Sequence, residues 1–303
     1  MINHPDTLNR LIAPWSFAKL NNSRALYPQA QGSGLPLLTI DTDLCHAVIA
    51  FQGAQLLEFV PKGGKPLLWL SPNCAFTPGK ALRGGVPLCL PWFGVNRRNP
   101  ELPKHGFARN RDWELTRLTQ LSDGHCQISF KLDAPANDQF AHHFSAQLTL
   151  TLGRNAHLAL SITNHSADTM PCSWALHSYH PVASLADVRV DGLAEREYLD
   201  NLENLAPKQL HGNLAFAGEV DRVFPNVECT LTVLGEPRIQ LSHDNCPSVI
   251  TWNPGPENAR KIGDIGEGEE QHFICVERGA VLDEEWLLAP GENRSGWLEI
   301  SAV

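Results

Sequence analysis

The segment FSAQLTLTLGRNAHLALSITN, residues 144–164, alternates apolar and polar side chains in two runs around a short polar break. Alternation with a period of two is typical of a β-strand that buries one face. Gly153, Arg154 and Asn155 form the break, and such residues favour the tight turn between two antiparallel strands. We therefore predict a β-hairpin in which the runs Leu148–Leu152 and His157–Leu160 pair with each other.

Similar short runs extend from this hairpin in both directions and account for about fifteen strand candidates. Before it lie LPLLTID, CHAVIAFQ, AQLLEFV and HCQISFKL, and after it MPCSWALHSYH, DVRVDGL, ECTLTVL, RIQLSH, SVITW, HFICVE and SGWLEISA. No long helical pattern appears, although residues 6–12 fit a short helix, and no repeat of about 40 residues indicates a propeller. The sequence predicts an all-β protein, a single large antiparallel β-sandwich over residues 1–303, with residues 1–34 as an N-terminal lead-in.

Composition limits the range of partners. The 303 residues are 43% apolar and 19% charged, which suits a globular core, and the formal net charge is −9. An acidic chain is a poor ligand for nucleic acid or an anionic membrane, so we expect neither as a partner. The N-terminus lacks the features of a signal peptide, and the eight cysteines are dispersed, which together favour reduced thiols and a cytoplasmic location. The oligomeric state is not fixed by the sequence, and we expect a monomer.

An irregular ribbon, Arg83–Trp113, interrupts the strand pattern. Two consecutive glycines and several prolines make long regular structure unfavourable there. The ribbon presents Arg83, His105 and Arg109, and arginine is suited to bidentate recognition of phosphate or carboxylate groups. An ordinary surface loop with solvated polar side chains is the alternative interpretation.

Two strand candidates carry groups suited to proton transfer. On a strand, His177 and Tyr179 would share one face, and an imidazole titrates near neutral pH. Glu277 ends an apolar run, so it is a candidate general base whose pKa burial could tune. A structural histidine and an exposed strand-end glutamate beside Arg278 are the alternatives.

Further polar and aromatic residues are weaker candidates. Asp221 could accept hydrogen bonds from sugar hydroxyls or cap a turn. Some aromatic side chains could form a wall for a sugar ring or belong to the core, namely Trp92, Phe93, Phe107 and Trp252. Neighbouring histidines at 142 and 143 would point to opposite faces of a strand, and so would His177 and His180, so we predict no metal site.

Six segments resemble, in the same order, the hexose-6-phosphate mutarotases, the glucose-6-phosphate 1-epimerase branch of the aldose 1-epimerase family. They are RGGVPLCLPWFG from Arg83, HGFARN from His105 with Trp113, ALHSY from Ala175, DRVF from Asp221, VITWNP from Val249 and FICVE from Phe273. The resemblance implies a galactose mutarotase-like supersandwich that interconverts the α and β anomers of a phosphorylated hexose without a cofactor.

The resemblance also implies roles for individual residues. His177 resembles the family's general acid and Glu277 its general base, while His105 and Asp221 resemble contacts to the sugar. Arg83 and Arg109 resemble the clamps for the phosphate and the rest of the substrate. The sequence departs from the family pattern at His180-Pro181, where an aromatic residue is common, so the strand could end early and a second histidine could lie near the site.

The chemistry of anomer exchange agrees with these residues. A proton must reach the ring oxygen while another leaves the anomeric hydroxyl, so one acid and one base suffice. Three alternatives remain open at this point. The chain could be an aldose 1-epimerase for neutral sugars, a non-catalytic sugar-binding protein, or a lyase or glycoside hydrolase, although hydrolysis would ask for two carboxylates.

Overall fold

Antiparallel strands are the main regular secondary structure of the computed structural model, which describes residues 3–303. The strands are β1 Ala18–Asn22, β2 Pro36–Asp41, β3 Cys45–Ala50, β4 Gln55–Pro61, β5 Leu88–Cys89, β6 Glu114–Gln120, β7 Cys126–Ala134, β8 Phe144–Leu152, β9 Asn155–Asn164, β10 Met170–Cys172, β11 Trp174–Leu176, β12 Tyr179–Pro181, β13 Arg189–Asp191, β14 Glu197–Asp200, β15 Ala206–Gln209, β16 Leu214–Ala215, β17 Val220–Phe224, β18 Leu231–Leu234, β19 Ile239–Asp244, β20 Ser248–Asn253, β21 Phe273–Ala280, β22 Trp286–Leu288 and β23 Asn293–Ala302. This architecture confirms the predicted all-β class.

Three short α-helices accompany the strands: α1 Pro5–Ile12, α2 Ser23–Leu26 and α3 Gly255–Lys261. The first of them matches the helix predicted near the N-terminus. Single 3₁₀ turns cover Ala108–Asn110, Asn201–Glu203, Glu269–His272 and Leu282–Glu284. Within residues 3–303, no helix has the length and apolar character needed to cross a membrane.

Two large sheets form the sandwich. One has nine strands in the order β16-β13-β18-β19-β23-β9-β8-β7-β6, and the other has eight, β15-β14-β17-β20-β21-β11-β5, with β12 also paired to β21. Leu158 and Leu160 of the first sheet belong to the same buried cluster as Ile274 and Val276 of the second. The two sheets therefore share one hydrophobic core, which is the arrangement expected of a sandwich.

The predicted hairpin is confirmed as β8 and β9. Phe144 pairs with Asn164 at the open end, and Leu152 pairs with Ala156 beside the turn. Burial alternates along both strands, so that every second residue faces the core. The period-two pattern of the sequence thus fixes both the strands and the face that each one buries.

Strand β21 lies inside the eight-stranded sheet, between β20 and β11, and all eight of its residues are buried. Glu277 and Arg278 stand in the strand and not at its end, and consecutive side chains point to opposite faces. Arg278 donates from Nη1 to the carbonyl of Val227 at 2.5 Å and from Nη2 to that of Cys229 at 2.6 Å. The two charged neighbours therefore form no ion pair, and the strand-end interpretation of Glu277 is wrong.

Tight backbone packing against β21 generates a prediction about stability. Gly279 pairs with Ala175 on β11, and a Cβ placed on Gly279 would lie 2.1 Å from the carbonyl oxygen of Trp174. Gly279→Ala must push the two strands apart, so we expect the free energy of unfolding to fall by about 1–3 kcal/mol in chemical denaturation. Gly263→Ala is the control, because no atom lies within 4 Å of the added carbon there. Equal stability of the two variants would contradict this packing.

Candidate active site

A cleft of about 820 Å³ opens above one face of the eight-stranded sheet. All six residues that the sequence singled out line it: Arg83, His105, Arg109, His177, Asp221 and Glu277. The irregular ribbon contributes the first three, strands β17 and β21 contribute Asp221 and Glu277, and the break between β11 and β12 contributes His177. The structure therefore gathers into one cleft residues that are spread over most of the chain.

Strand register explains the floor of the cleft. Asp221 on β17 pairs with Trp252 on β20, and Ile250 on β20 pairs with Glu277 on β21. Directly opposed residues lie on the same face of a sheet, and so do residues two apart on one strand. These four side chains must therefore point into the cleft together. Asp221 lies inside a strand, so its interpretation as a turn cap is wrong.

His177 occupies a break between two strands of the same sheet. Strand β11 ends at Leu176 and β12 begins at Tyr179, while Ser178 fixes the break because its hydroxyl donates to the carbonyl of Val276 at 2.6 Å. The rings of His177 and Tyr179 stack with centroids 4.8 Å apart, which confirms that they share a face. The break precedes the departure at His180-Pro181, and those two residues belong to β12, so they do not end the strand early.

His180, the second histidine of this segment, does not line the cleft. Its Nδ1 donates to the carbonyl of Leu67 at 3.1 Å, and its side chain is fully buried. It points away from His177 because the two residues stand an odd number of positions apart. It is therefore a packing residue on the far side of the strand.

His177 and Glu277 form a close, dry pair. Their nearest atoms, Nδ1 and Oε1, are 3.4 Å apart, and the side chains are 8% and 1% exposed. His177 Nδ1 and Glu277 Oε2 are both buried without a hydrogen-bond partner. Buried polar atoms normally find partners, so these two atoms retain unused hydrogen-bonding capacity at the floor of the cleft.

Burial shifts the pKa values of the pair in opposite directions. It lowers the pKa of His177 to about 3, and the positive charges of Arg109 and Arg83 add to the effect. It raises the pKa of Glu277 well above the ordinary range, with Asp221 adding to the rise and Arg109 opposing it. A carboxylate with a raised pKa is a stronger base than an exposed one, which suits proton abstraction.

The ribbon holds His105 in a strained backbone conformation. Its φ is 69°, and Gly106 follows at 65°, where a side chain would collide with the carbonyl of Leu90 at 2.1 Å. The N–H of Gly94 donates to Nδ1 of His105 at 3.2 Å, so the neutral ring carries its proton on Nε2. Burial, with Arg109 adding, lowers the pKa of His105 and keeps the ring neutral, so Nε2–H is a fixed donor.

The two arginines differ in their partners. Arg83 donates from Nε to Asp264 Oδ1 at 3.1 Å and from Nη1 to the Tyr179 hydroxyl at 3.0 Å. Arg109 donates from Nη2 to the carbonyl of Lys104 at 3.1 Å, and its Nε is buried without a partner. Among the ion pairs of residues 3–303, Arg83 has a carboxylate partner and Arg109 has none. Of these two arginines, Arg109 is therefore the one whose charge no carboxylate neutralises.

Several residues of the site escaped the sequence-based prediction. Asn201 donates to Asp221 Oδ2 at 2.8 Å and orients that carboxylate. Asp264 follows no recognisable motif, and 181 positions separate it from Arg83. Cys275 had a usable signal, because it precedes Glu277 by two positions on a strand and must share its face. Trp92, Phe93 and Trp252 line the cleft as an aromatic wall would, whereas Phe107 does not and packs against Phe144 in the core.

A β-sandwich with an imidazole and a carboxylate at the floor of a polar, aromatic-lined cleft has the groups that acid–base chemistry on a small molecule requires. The family described as aldose 1-epimerase matches residues 36–301. A protein of Cenchrus ciliaris with the provisional name glucose-6-phosphate 1-epimerase is 33% identical over 273 residues, which is 86% of this chain and 82% of the relative. The chain belongs to the aldose 1-epimerase family, whose activity is that of an isomerase.

Solved structures agree with this assignment. A Salmonella typhimurium protein, YeaD, provisionally named a mutarotase, superposes with a TM-score of 0.80 at 30% identity over 88% of this chain and 90% of its own. A galactose mutarotase-like protein of Clostridium acetobutylicum has a TM-score of 0.69 at 16% identity over 94% and 98% of the chains. The galactose mutarotase-like fold predicted from the sequence is thereby confirmed.

The depressed pKa of His177 generates a prediction about stability and pH. The unfolded chain takes up this proton near the ordinary value of 6.5, but the folded chain does so only near 3. Folding therefore loses stability as the pH falls through this window, because the unfolded state binds the proton first. We expect the free energy of unfolding of His177→Asn to fall less steeply than that of the parent between about pH 6.5 and about pH 4 in urea titrations. Parallel curves for the two proteins would contradict the buried neutral imidazole.

Proposed function

We propose that the protein interconverts the α and β anomers of a hexose 6-phosphate by acid–base catalysis at His177 and Glu277, without a cofactor. The observation that carries the proposal is the buried contact of 3.4 Å between His177 Nδ1 and Glu277 Oε1, where Nδ1 and Glu277 Oε2 have no hydrogen-bond partner. The provisional names of the relatives, glucose-6-phosphate 1-epimerase and mutarotase, support the same reaction.

The closeness of the pair suits a hemiacetal. The ring oxygen and the anomeric hydroxyl of an aldose are bonded to the same carbon, so their acid and base must stand side by side. Glu277 takes the proton of the anomeric hydroxyl while His177 delivers one to the ring oxygen. The ring opens, the C1–C2 bond rotates, and closure on the other face of the carbonyl returns both protons.

The phosphate group of the substrate favours protonation of His177, the assigned acid. After burial, the positive charges of Arg109 and Arg83 are the causes that keep His177 neutral. A phosphate dianion beside those arginines offsets their field and raises the pKa of the imidazole, which favours its protonated, acidic form. A phosphorylated sugar should therefore be turned over faster, as well as bound more tightly, than a neutral sugar.

Charge balance divides the two arginines. Arg109 has no carboxylate partner and lies beside Lys104, which also lines the cleft, so we assign the phosphate to this corner. Arg83 is already balanced by Asp264 and held by Tyr179, which suits a fixed hydrogen-bond donor to the sugar. An anion gains most from a cation that no carboxylate neutralises.

The remaining contacts suit the rest of the sugar. His105 offers a fixed Nε2–H donor, and Asp221, oriented by Asn201, offers acceptor oxygens to hydroxyl groups. Trp252 lies beside Asp221 on the floor and gives an apolar face against which a pyranose ring can stack.

The direct test is the rate of anomer exchange measured by NMR for glucose 6-phosphate, glucose and galactose. Acceleration of the phosphorylated sugar alone is the expected result. Acceleration of the neutral sugars alone would support the assignment of the acid and the base and would contradict the assignment of a phosphate site. If neither these sugars nor other hexose phosphates are accelerated, the catalytic proposal is wrong and a sugar-binding function explains the cleft better.

Removal of either proton-transfer group should abolish most of the activity. We expect His177→Asn and Glu277→Gln each to lower kcat by about 10²–10⁴-fold, with a smaller change in KM and an unaltered circular dichroism spectrum. Matched controls are His180→Asn and Glu270→Gln, which alter a buried imidazole and a buried carboxylate that do not line the cleft. Full activity of His177→Asn or of Glu277→Gln would reject the assigned role.

Arg109→Ala should discriminate between substrates. We expect KM for the phosphorylated sugar to rise at least about tenfold while KM for a neutral sugar changes little, because a charged hydrogen bond is lost. Arg111→Ala is the control, since Arg111 lies two positions away, packs over the ring of Phe107 and does not line the cleft. Equal effects of Arg109→Ala on both kinds of sugar would remove the phosphate assignment.

A further inference from the structure

Three potential metal ligands meet where the floor of the cleft joins the interior of the sheet: His177 and Glu277 line the cleft, and Cys275 is buried beside them. The ligand atoms of the His177 imidazole, the Cys275 thiol and the Glu277 carboxylate all lie within 4.8 Å of one another. Strand geometry creates the cluster, because Cys275 and Glu277 alternate on β21 and Cys275 pairs with Tyr179, two residues after His177. The three donors therefore converge from β21 and from the break between β11 and β12 that lies beside it.

These ligand atoms are not engaged by other groups of the protein. His177 Nδ1 and Glu277 Oε2 are buried and lack hydrogen-bond partners, and Glu277 is 1% exposed. Cys275 is one of the free cysteines and is fully buried. The imidazole nitrogen, the carboxylate oxygen and the thiol sulfur are therefore all available to coordinate an ion.

The donor set selects a class of cation. Sulfur, nitrogen and a single carboxylate suit Zn²⁺ and similar thiophilic ions, whereas Mg²⁺ and Ca²⁺ require mostly oxygen ligands. Three protein ligands would leave one tetrahedral position for water, which the cleft can supply past the partly exposed edge of His177.

We propose that His177, Cys275 and Glu277 bind a thiophilic divalent cation such as Zn²⁺, and that the bound cation inhibits the enzyme. Binding replaces the proton of the Cys275 thiol, which passes to solvent, with a bond from sulfur to the metal. The cation occupies the groups assigned to proton transfer, so sugar and metal compete for one place. The inhibition rests on the function proposed above, but the binding does not.

Cobalt is the probe for binding, because Co²⁺ adopts zinc sites and its bond to a thiolate produces a charge-transfer absorption band. We expect one Co²⁺ per chain with this band in the parent protein, and loss of the band in Cys275→Ala and in Cys275→Ser. Cys246→Ala is the matched control, because Cys246 is an equally buried thiol whose sulfur lies 3.7 Å from His243 Nδ1. That variant should keep the band.

Zinc titrations of the anomerisation rate test the inhibition. We expect Zn²⁺ to raise the apparent KM of the parent for glucose 6-phosphate and a chelator to reverse the effect. Cys275→Ala, compared with its own metal-free rate, should need at least about 100-fold more Zn²⁺ for the same inhibition, because loss of a ligand weakens a metal site more than loss of an outer contact does.

Specific outcomes would overturn the proposal. Absence of the cobalt band in the parent, or an unchanged band in both Cys275 variants, would show that the cluster binds no such ion. Equal zinc sensitivity of the parent and Cys275→Ala would place the inhibitory ion elsewhere. If the parent has no epimerase activity, the cobalt band still reports binding, so failure of the proposed function and failure of this proposal remain distinct.

Discussion

The site depends on a carboxylate held in the interior of a sheet. Glu277 lies on β21, a strand buried along its whole length, and its side chain is 1% exposed. Removal from water disfavours its charge and raises its pKa, which makes the carboxylate more basic than an exposed one. The same burial keeps His177 neutral beside it. Because the strands on both sides of β21 exclude water, the sheet supplies the low dielectric on which acid–base chemistry depends.

The sheet and the ribbon contribute different parts of the cleft. The sheet places Asp221, Trp252 and Glu277 on one face through strand register, which leaves these side chains little freedom. The ribbon contributes His105 through a left-handed backbone that Gly106 allows by its close approach to Leu90. Rigid strands thus form the floor of the cleft, and a strained loop forms its wall. Such an arrangement holds the side chains in place before a ligand binds.

Charge is distributed so that an acidic protein can bind a small anion. The formal net charge is −9, yet Arg83, Lys104 and Arg109 all face the cleft. A carboxylate balances Arg83, whereas the bond of Arg109 to a carbonyl leaves its charge unneutralised. A few cations gathered in one cleft suit a compact phosphate better than an extended polyanion, whose binding requires many cations spread over a surface.

Local pattern in the amino-acid chain was enough to predict the strands, the hairpin of β8 and β9 and the irregular ribbon, because side-chain alternation and turn chemistry act between neighbours. The same residues only nominated the six side chains of the cleft one by one, and the resemblance to a known family joined them into one site. The pairing of charges could not be predicted in this way. Arg278 binds backbone carbonyls on the face opposite to Glu277, and Asp264 reaches Arg83 across 181 positions. The contact of His177 with Glu277, the orphaned atoms of that pair and the nearby thiol of Cys275 likewise arise only when distant strands pair in register. The burial of a side chain and the identity of its hydrogen-bond or ion-pair partner are decided only in the assembled sheets, because both depend on which remote segments exclude water from that side chain.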